Sequence, residues 1–185
     1  MTRSGLTLWF TGLPGAGKST LARRVAETLV GRGLRVELLD GDEFRASLSS
    51  DLGFSKEDRD INVRRIGFVA RLLSRNGIVA IVAAISPYRA IRDEVRRQHE
   101  APFVEIFVDC SLDELIRRDT KGLYARALRG EIDHFTGVSD PYEAPLAPDL
   151  TVHSDREPVE ASVGQVIQSL ERNWLPQRQD AAEQV

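Results

Sequence analysis

Apolar runs alternate along the chain with stretches whose apolar residues recur three and four positions apart. The runs predict strands at Leu6–Phe10, Arg35–Leu39, Ile78–Ile85, Phe103–Val108 and Leu150–Val152. Ile78–Ile85 is apolar throughout, the pattern of a central strand covered on both faces. Between the runs lie helical patterns. Leu21, Ala22, Val25, Ala26, Leu29 and Val30 share one helical face, and Gly31-Arg32-Gly33 ends that helix. A second helix begins near Ser55, where Ser55 and Asp58 make an S-x-x-D capping box, and ends at Gly77. Ile66, Val69, Ala70 and Leu73 are its apolar face. Further helices run from about Arg89 to Glu100 and from about Pro158 to Trp174. This alternation predicts an α/β fold of three layers, a mostly parallel five-stranded sheet flanked by helices and joined by right-handed crossovers.

One segment departs from the alternation. Asp119–Pro148 carries little strand signal, many charges, and Gly122, Gly130, Gly137, Pro141, Pro145 and Pro148. It also carries Leu123, Tyr124, Leu128, Phe135 and Tyr142, which is too apolar for a linker, so it reads as a lid. The expected organisation is one domain over residues 1–175, a lid at about 119–148, and a polar, fraying tail over 176–185.

The first strand runs into Gly12-Leu13-Pro14-Gly15-Ala16-Gly17-Lys18-Ser19-Thr20, a complete G-x-x-x-x-G-K-[ST] phosphate-binding loop. Its glycines let successive N–H groups point at phosphate oxygens, and the loop opens a helix N-terminus whose dipole favours an anion. Lys18 can reach the β- and γ-phosphates, and the Ser19 hydroxyl can ligand Mg²⁺. The alternative, a glycine-rich turn with no ligand, lacks a reason for strand, loop, Lys-Ser and helix to stand together.

Composition narrows the picture. A chain of 185 residues, 42% hydrophobic and 29% charged, fits a globular α/β domain with a sizeable core. A net charge of −3 gives no field to hold a nucleic-acid backbone, so no nucleic-acid partner is expected. No apolar run approaches the ~20 residues that span a bilayer, so no membrane partner is expected either. Met1–Gly5 leads straight into the first strand and does not read as a signal peptide. Cys110 is the sole cysteine, which fits a reducing cytoplasm. It follows an apolar strand and reads as a small buried filler rather than a nucleophile. His99, His134 and His153 lack metal-ligand spacing and read as surface residues.

The second strand ends in Asp40-Gly41-Asp42-Glu43-Phe44-Arg45, at the sheet edge where ligands sit in doubly wound folds. Asp40 and Asp42 there could position Mg²⁺ and accept a proton from an attacking hydroxyl; the same residues also suit an Asp-capped helix. The third strand carries no acidic residue between Ile78 and Ile85, and no Asn-Lys-x-Asp occurs, which argues against a motor ATPase and a GTPase switch. A small-molecule kinase fits what remains. Arg59, Asn62 and Arg65 follow one another at helical spacing, as a ligand-facing or a solvated face; Phe54 and Phe135 suit stacking or the core.

Gly12–Thr20, Asp40-Gly41-Asp42-x-x-Arg45, Asp51-Leu52-Gly53-Phe54-Ser55, Asp58-Arg59-x-x-Asn62-x-x-Arg65, Ile85-Ser86-Pro87-Tyr88-Arg89, Lys121-Gly122-Leu123-Tyr124 and Phe135-Thr136-Gly137…Pro141-Tyr142-Glu143-Ala144-Pro145 stand in the order seen in adenylylsulfate kinases. The chain resembles that family of P-loop kinases from about Leu6 to Val152. The resemblance implies transfer of the γ-phosphoryl of Mg·ATP to the 3′-hydroxyl of adenosine 5′-phosphosulfate in sulfate assimilation, in a cytoplasmic homodimer. It implies catalytic roles for Lys18, Asp42 and Lys121, with Asp42 beside the 3′-hydroxyl and Lys121 reaching the transferring phosphate. ATP would lie on Gly12–Thr20 with Arg118 at its adenine, and Mg²⁺ at Ser19 and Asp40. Arg45, Arg59 and Asn62 would hold the phosphosulfate and ribose; Phe54 and Phe135 would sandwich the substrate adenine, edged by Ile85 and Ser86. Pro14 departs from the small polar residue of many relatives, also suits gluconate-type kinases, and removes one N–H donor from the loop. A gluconate-type kinase and a nucleotide-binding regulatory protein without turnover are the competing readings.

Overall fold

The computed structural model describes residues 5–119 and 121–174. The expected tail at 176–185 and the first four residues lie outside the described residues. Five strands form the sheet: β1 (Leu6–Thr11), β2 (Val36–Asp40), β3 (Val79–Ala83), β4 (Phe103–Asp109) and β5 (Leu150–His153). Their order is β2-β3-β1-β4-β5, and every pairing is parallel. Leu8 of β1 sits opposite Ile81 of β3 and Val104 of β4, so the phosphate-loop strand is central.

The helices are α1 (Lys18–Gly31), α2 (Gly41–Ala46), α3 (Lys56–Arg75), α4 (Arg89–Arg97), α5 (Leu112–Arg118), α6 (Leu123–Leu128) and α7 (Val159–Asn173). Strand alternation splits the core in two. Leu6, Leu8, Phe10, Ile81, Val104 and Ile106 pack with α1 and α7. Trp9, Ala80, Val82 and Phe103 pack with α3 and α4 on the opposite face. Each wholly buried Leu, Ile or Phe in these layers contributes roughly 1.5–3 kcal/mol relative to exposure.

Helix starts follow the expected chemistry. Ser55 Oγ accepts from the Asp58 amide at 3.1 Å and donates to its carboxylate at 2.7 Å, which fixes the entry to α3. Asp40 caps α2 through Oδ1, which accepts from the Asp42 amide at 2.9 Å. The capped helix anticipated as an alternative at Asp40-Gly41-Asp42 therefore forms.

Several expectations need correction. The predicted third strand reached Ile85, but β3 ends at Ala83, because Ile85–Tyr88 turns away to build a loop. The apolar residues noted in Asp119–Pro148 join the core in part: Tyr124 and Phe135, with Ala127, are buried in the α1-side cluster. Helix α6 in that segment escaped notice because it is only six residues long, too short to display a period. The solvated-face reading of α3 fails at Arg59 and Asn62, both 6% exposed. His99 is half-buried rather than on the surface, edge-on to Phe103 at 4.9 Å between ring centres. Cys110 is buried as expected, and burial pushes its thiol pKa up, away from reactivity.

The parallel order brings the C-terminal ends of all the strands to one edge. Thr11, Asp40, Ala84–Tyr88 and Asp109 gather there with the β1–α1 loop, and this edge carries the predicted site.

Candidate active site

The phosphate loop leaves β1 at Gly12, whose φ is +155°, and a Cβ added there would lie 2.5 Å from the Val108 carbonyl oxygen. Only glycine lets the strand pass β4 this closely. Gly17 caps α1, and Lys18 is that helix's first residue. The Lys18 ammonium donates to Gly12 O at 2.9 Å and Leu13 O at 2.8 Å, so it lies along the loop's interior. Burial draws its pKa down to about 8, opposed by the negative charges of Asp42 and Asp40.

Ser19 Oγ donates to Asp40 Oδ2 at 2.7 Å. One carboxylate thus serves two elements, capping α2 through Oδ1 and orienting the loop hydroxyl through Oδ2. A hydroxyl beside a carboxylate is an all-oxygen donor set, the kind Mg²⁺ takes together with phosphate and water oxygens, so the residues present fit that ion. Asp42, in the first turn of α2, projects into solvent, and its Oδ2 lies 3.9 Å from the Lys121 ammonium. Both side chains are largely exposed, so the pair adds little stability and leaves both groups available to a ligand.

A second cluster stands beside α3. Phe54 is 53% exposed, which removes it from the core. The Arg45 guanidinium lies 4.5 Å from its ring centre and that of Arg59 lies 5.6 Å away. Arg45 also donates to Gly53 O at 2.7 Å. Burial lowers the pKa of both arginines, and in Arg45 the charge of Arg59 lowers it further. Arg59 donates to Phe54 O at 2.9 Å and to His134 O, and its guanidinium lies 3.6 Å from Asp140. The arginine therefore ties the Phe54 loop to the residue preceding Phe135. Phe135 itself is 8% exposed and sits edge-on to Tyr124 at 5.0 Å. It belongs to the core cluster, so the two phenylalanines are not equivalent. Asn62 is buried one turn beyond Arg59, and its Oδ1 has no hydrogen-bond partner among the described residues. A buried acceptor left unpaired in this way has capacity for a ligand donor.

Ile85 and Ser86 follow β3. Ser86 has φ +40°, a left-handed conformation unusual for a residue with a Cβ. Its hydroxyl accepts from Trp9 Nε1 at 3.0 Å and donates to Thr11 Oγ1 at 3.1 Å. Thr11 in turn donates to Ile85 O at 2.8 Å and lies 2.9 Å from the Tyr142 hydroxyl. Burial pushes the Tyr142 phenol up to about 12. Arg118 closes α5 with its guanidinium on Glu114 at 2.6 Å and Ser154 O at 2.9 Å.

The fold thus brings Lys18, Ser19, Asp40, Asp42 and Lys121 together through direct pairs or mutual charge, and Arg45, Phe54 and Arg59 into a second group. Arg118 sits apart from both, held by α5 and the turn after β5. Sequence reasoning missed Tyr124, whose hydroxyl donates to Pro14 O at 2.8 Å. It also missed the Trp9–Ser86–Thr11–Tyr142 chain. The signals were present: Tyr124 ends the Lys-Gly-Leu-Tyr motif and Tyr142 lies in the Pro-Tyr-Glu motif.

Comparison with known proteins agrees with this geometry. The family model for adenylylsulphate kinase matches residues 4–153. The adenylyl-sulfate kinase of Myxococcus xanthus is 58% identical over 93% of this chain and 94% of its own length. That of a Picosynechococcus species is 55% identical over 92% of this chain and 96% of its own. Among solved structures, the Mycobacterium tuberculosis APS kinase CysC in complex with AMPPNP and APS superposes with a TM-score of 0.86 at 45% identity, covering 91% of this chain and 99% of that one. With the phosphate loop, the acidic strand end and these likenesses in agreement, the chain belongs to the adenylylsulfate kinase family of P-loop phosphotransferases.

Proposed function

We propose that this protein transfers the γ-phosphoryl group of ATP to the 3′-hydroxyl of adenosine 5′-phosphosulfate, giving 3′-phosphoadenylyl sulfate and ADP in sulfate assimilation. The observation that supports this reading is that Asp42, 3.9 Å from Lys121, bears by its charge on Lys18 of the phosphate loop and on Arg45 of the second group.

Gly12–Thr20 binds the ATP phosphates through its amides, and Lys18 turns from its loop carbonyls to the β- and γ-phosphates. Pro14 supplies no amide, but its carbonyl anchors Tyr124 instead. Ser19 and Asp40 would hold Mg²⁺, which when bound neutralises phosphate charge. Arg45, Arg59 and Asn62 hold the ribose and phosphosulfate, and the exposed Phe54 ring offers one stacking face for the substrate adenine. Ile85 and Ser86 lie along the edge, and the second face of the sandwich would require the buried Phe135 ring to be uncovered on the substrate side. Asp42 accepts the proton of the 3′-hydroxyl as that oxygen bonds to the γ-phosphorus and ADP leaves. Lys121 and Lys18 receive the charge that spreads over the transferred oxygens. Arg118 faces the adenine of ATP.

Residues 119–148 act as a lid over a single domain extending to 175. Their support is the Tyr124–Pro14 bond and the close approach of Gly137, where an added Cβ would lie 2.7 Å from the Leu13 side chain. We further propose a homodimer and a cytoplasmic location, the latter supported by the single buried thiol Cys110.

An ADP-release screen with adenylylsulfate, gluconate, shikimate and nucleoside monophosphates as acceptors tests the assignment. Turnover with adenylylsulfate alone is expected. Preferred turnover with gluconate would reject it, and no turnover with any acceptor would favour a regulatory nucleotide-binding protein.

A further inference from the structure

Arg92 stands in the first turns of α4 and is 2% exposed. None of its guanidinium nitrogens is idle. Nε donates to Glu105 Oε1 at 2.8 Å, Nη1 to Ser86 O at 2.6 Å, and Nη2 to Glu143 O at 2.7 Å. The three acceptors belong to β4, the β3–α4 loop and the Pro141–Pro145 segment. The planar fork of arginine matches this arrangement, whereas one ammonium cannot span it.

The acceptor at Ser86 is the informative one. Ser86 holds φ +40°, a conformation that persists only where its surroundings over-determine it. Two sets of contacts do so here. Trp9 and Thr11 fix its hydroxyl, and Arg92 fixes its carbonyl. The Pro141–Pro145 segment is bound to the same loop from its other side. The Glu143 amide donates to Pro87 O at 2.8 Å, and its carboxylate accepts from the Arg89 amide at 2.8 Å. Tyr142 reaches Thr11, and Arg92 lies 5.9 Å from the Tyr142 ring centre. Glu105 supplies a buried counter-charge that keeps the guanidinium in place.

We infer that Arg92 is a positioning residue for the acceptor substrate: it holds the Ile85–Ser86 edge in its strained conformation and locks it to the Pro141–Pro145 end of the lid. It touches neither substrate. This inference rests on the reading of Ile85 and Ser86 as the adenylylsulfate edge. It assigns to Arg92 an effect on that substrate and little on ATP, whose phosphates are held by a different strand end.

The test is the double variant Arg92→Met/Glu105→Gln, which removes the fork without leaving a buried carboxylate unpaired. Glu105→Gln alone measures the counter-charge separately: its amide oxygen still accepts from Nε, but the guanidinium is left buried without a carboxylate, so this variant should melt lower than wild type, and the effect assigned to the fork is the further change in the double variant. Arg92→Lys is the second variant, retaining a cation beside Glu105 but not the three-way tie. KM for adenylylsulfate should rise in the double variant, by up to about thirtyfold, the upper end of the coupling lost when a linking residue is removed, and by more than KM for ATP. KM for ATP should stay within about twofold, since uniform binding of that substrate is untouched. Amide exchange should quicken at residues 84–89 and 141–145 together. A folded variant with wild-type KM for adenylylsulfate would overturn the inference. So would equal losses for both substrates, or unchanged exchange in the two segments. Wild-type protein that leaves adenylylsulfate unphosphorylated would instead reject the substrate reading, and the exchange data would then decide the Arg92 tie alone.

Discussion

The Tyr124 hydroxyl donates to the Pro14 carbonyl at 2.8 Å, joining helix α6 to the phosphate loop. Asp119 supports the tyrosine by accepting from the amides of Tyr124 and Ala125 at 3.0 and 2.9 Å. Tyr124→Phe removes the one bond and keeps the ring against Phe135. Stability should fall by about 1 kcal/mol, the ordinary worth of such a bond. Amide exchange across 119–148 should rise without ligands and slow when ATP and adenylylsulfate are both bound. Exchange that ignores both the variant and the ligands would remove the lid.

Lys18→Ala should cost at least about a hundredfold in kcat, the scale for deleting a group that meets transition-state charge. Among the described residues its ammonium hydrogen-bonds to two loop carbonyls, so thermal unfolding should shift little. Near-normal kcat in a folded variant would contradict the phosphate-loop assignment.

The pH dependence follows from the same residue. With its pKa drawn down to about 8, Lys18 loses its proton as pH rises through that value, and the uncharged amine cannot neutralise phosphate. kcat/KM for ATP should therefore fall on the basic side of about 8. The kcat profile should break at higher pH, because bound phosphate stabilises the ammonium. A flat kcat/KM profile through pH 9–10 would show that Lys18 remains charged there.

Phe54 and Phe135 call for different variants. Phe54 is 53% exposed, so Phe54→Ala should leave the melting temperature near wild type. It should lower kcat/KM for adenylylsulfate about tenfold to a hundredfold, taking base–aromatic stacking at roughly 1–3 kcal/mol. Phe135→Ala would open a core cavity at a cost of about 3–5 kcal/mol, so Phe135→Leu is the informative change there. Full activity in Phe54→Ala would remove that ring from the substrate site.

Much of this was legible in the sequence because local rules set it. The strand patterns, the Ser55–Asp58 cap and the phosphate loop each depend on residues within a few positions of one another. Arg59, Asn62 and Arg65 looked like a solvated face because periodicity does not record that the 134–140 turn folds over the first two. The Trp9–Ser86–Thr11–Tyr142 chain joins partners 75 to 131 positions apart in sequence. No local pattern signals such a chain. Asp40 forms the helix cap that one reading offered, and its second oxygen takes the loop serine, a partner no local pattern announced, since its two oxygens point different ways.

The central claim is that phosphate is transferred to one particular hydroxyl of adenylylsulfate. Phosphorus NMR of the wild-type reaction with ATP, magnesium and adenylylsulfate tests it directly. The expected spectrum gains a phosphomonoester resonance coupled to the ribose 3′-proton, in equal amount to the ADP formed, with the phosphosulfate signal retained. ADP accompanied only by inorganic phosphate, or a phosphomonoester at another position, would contradict it.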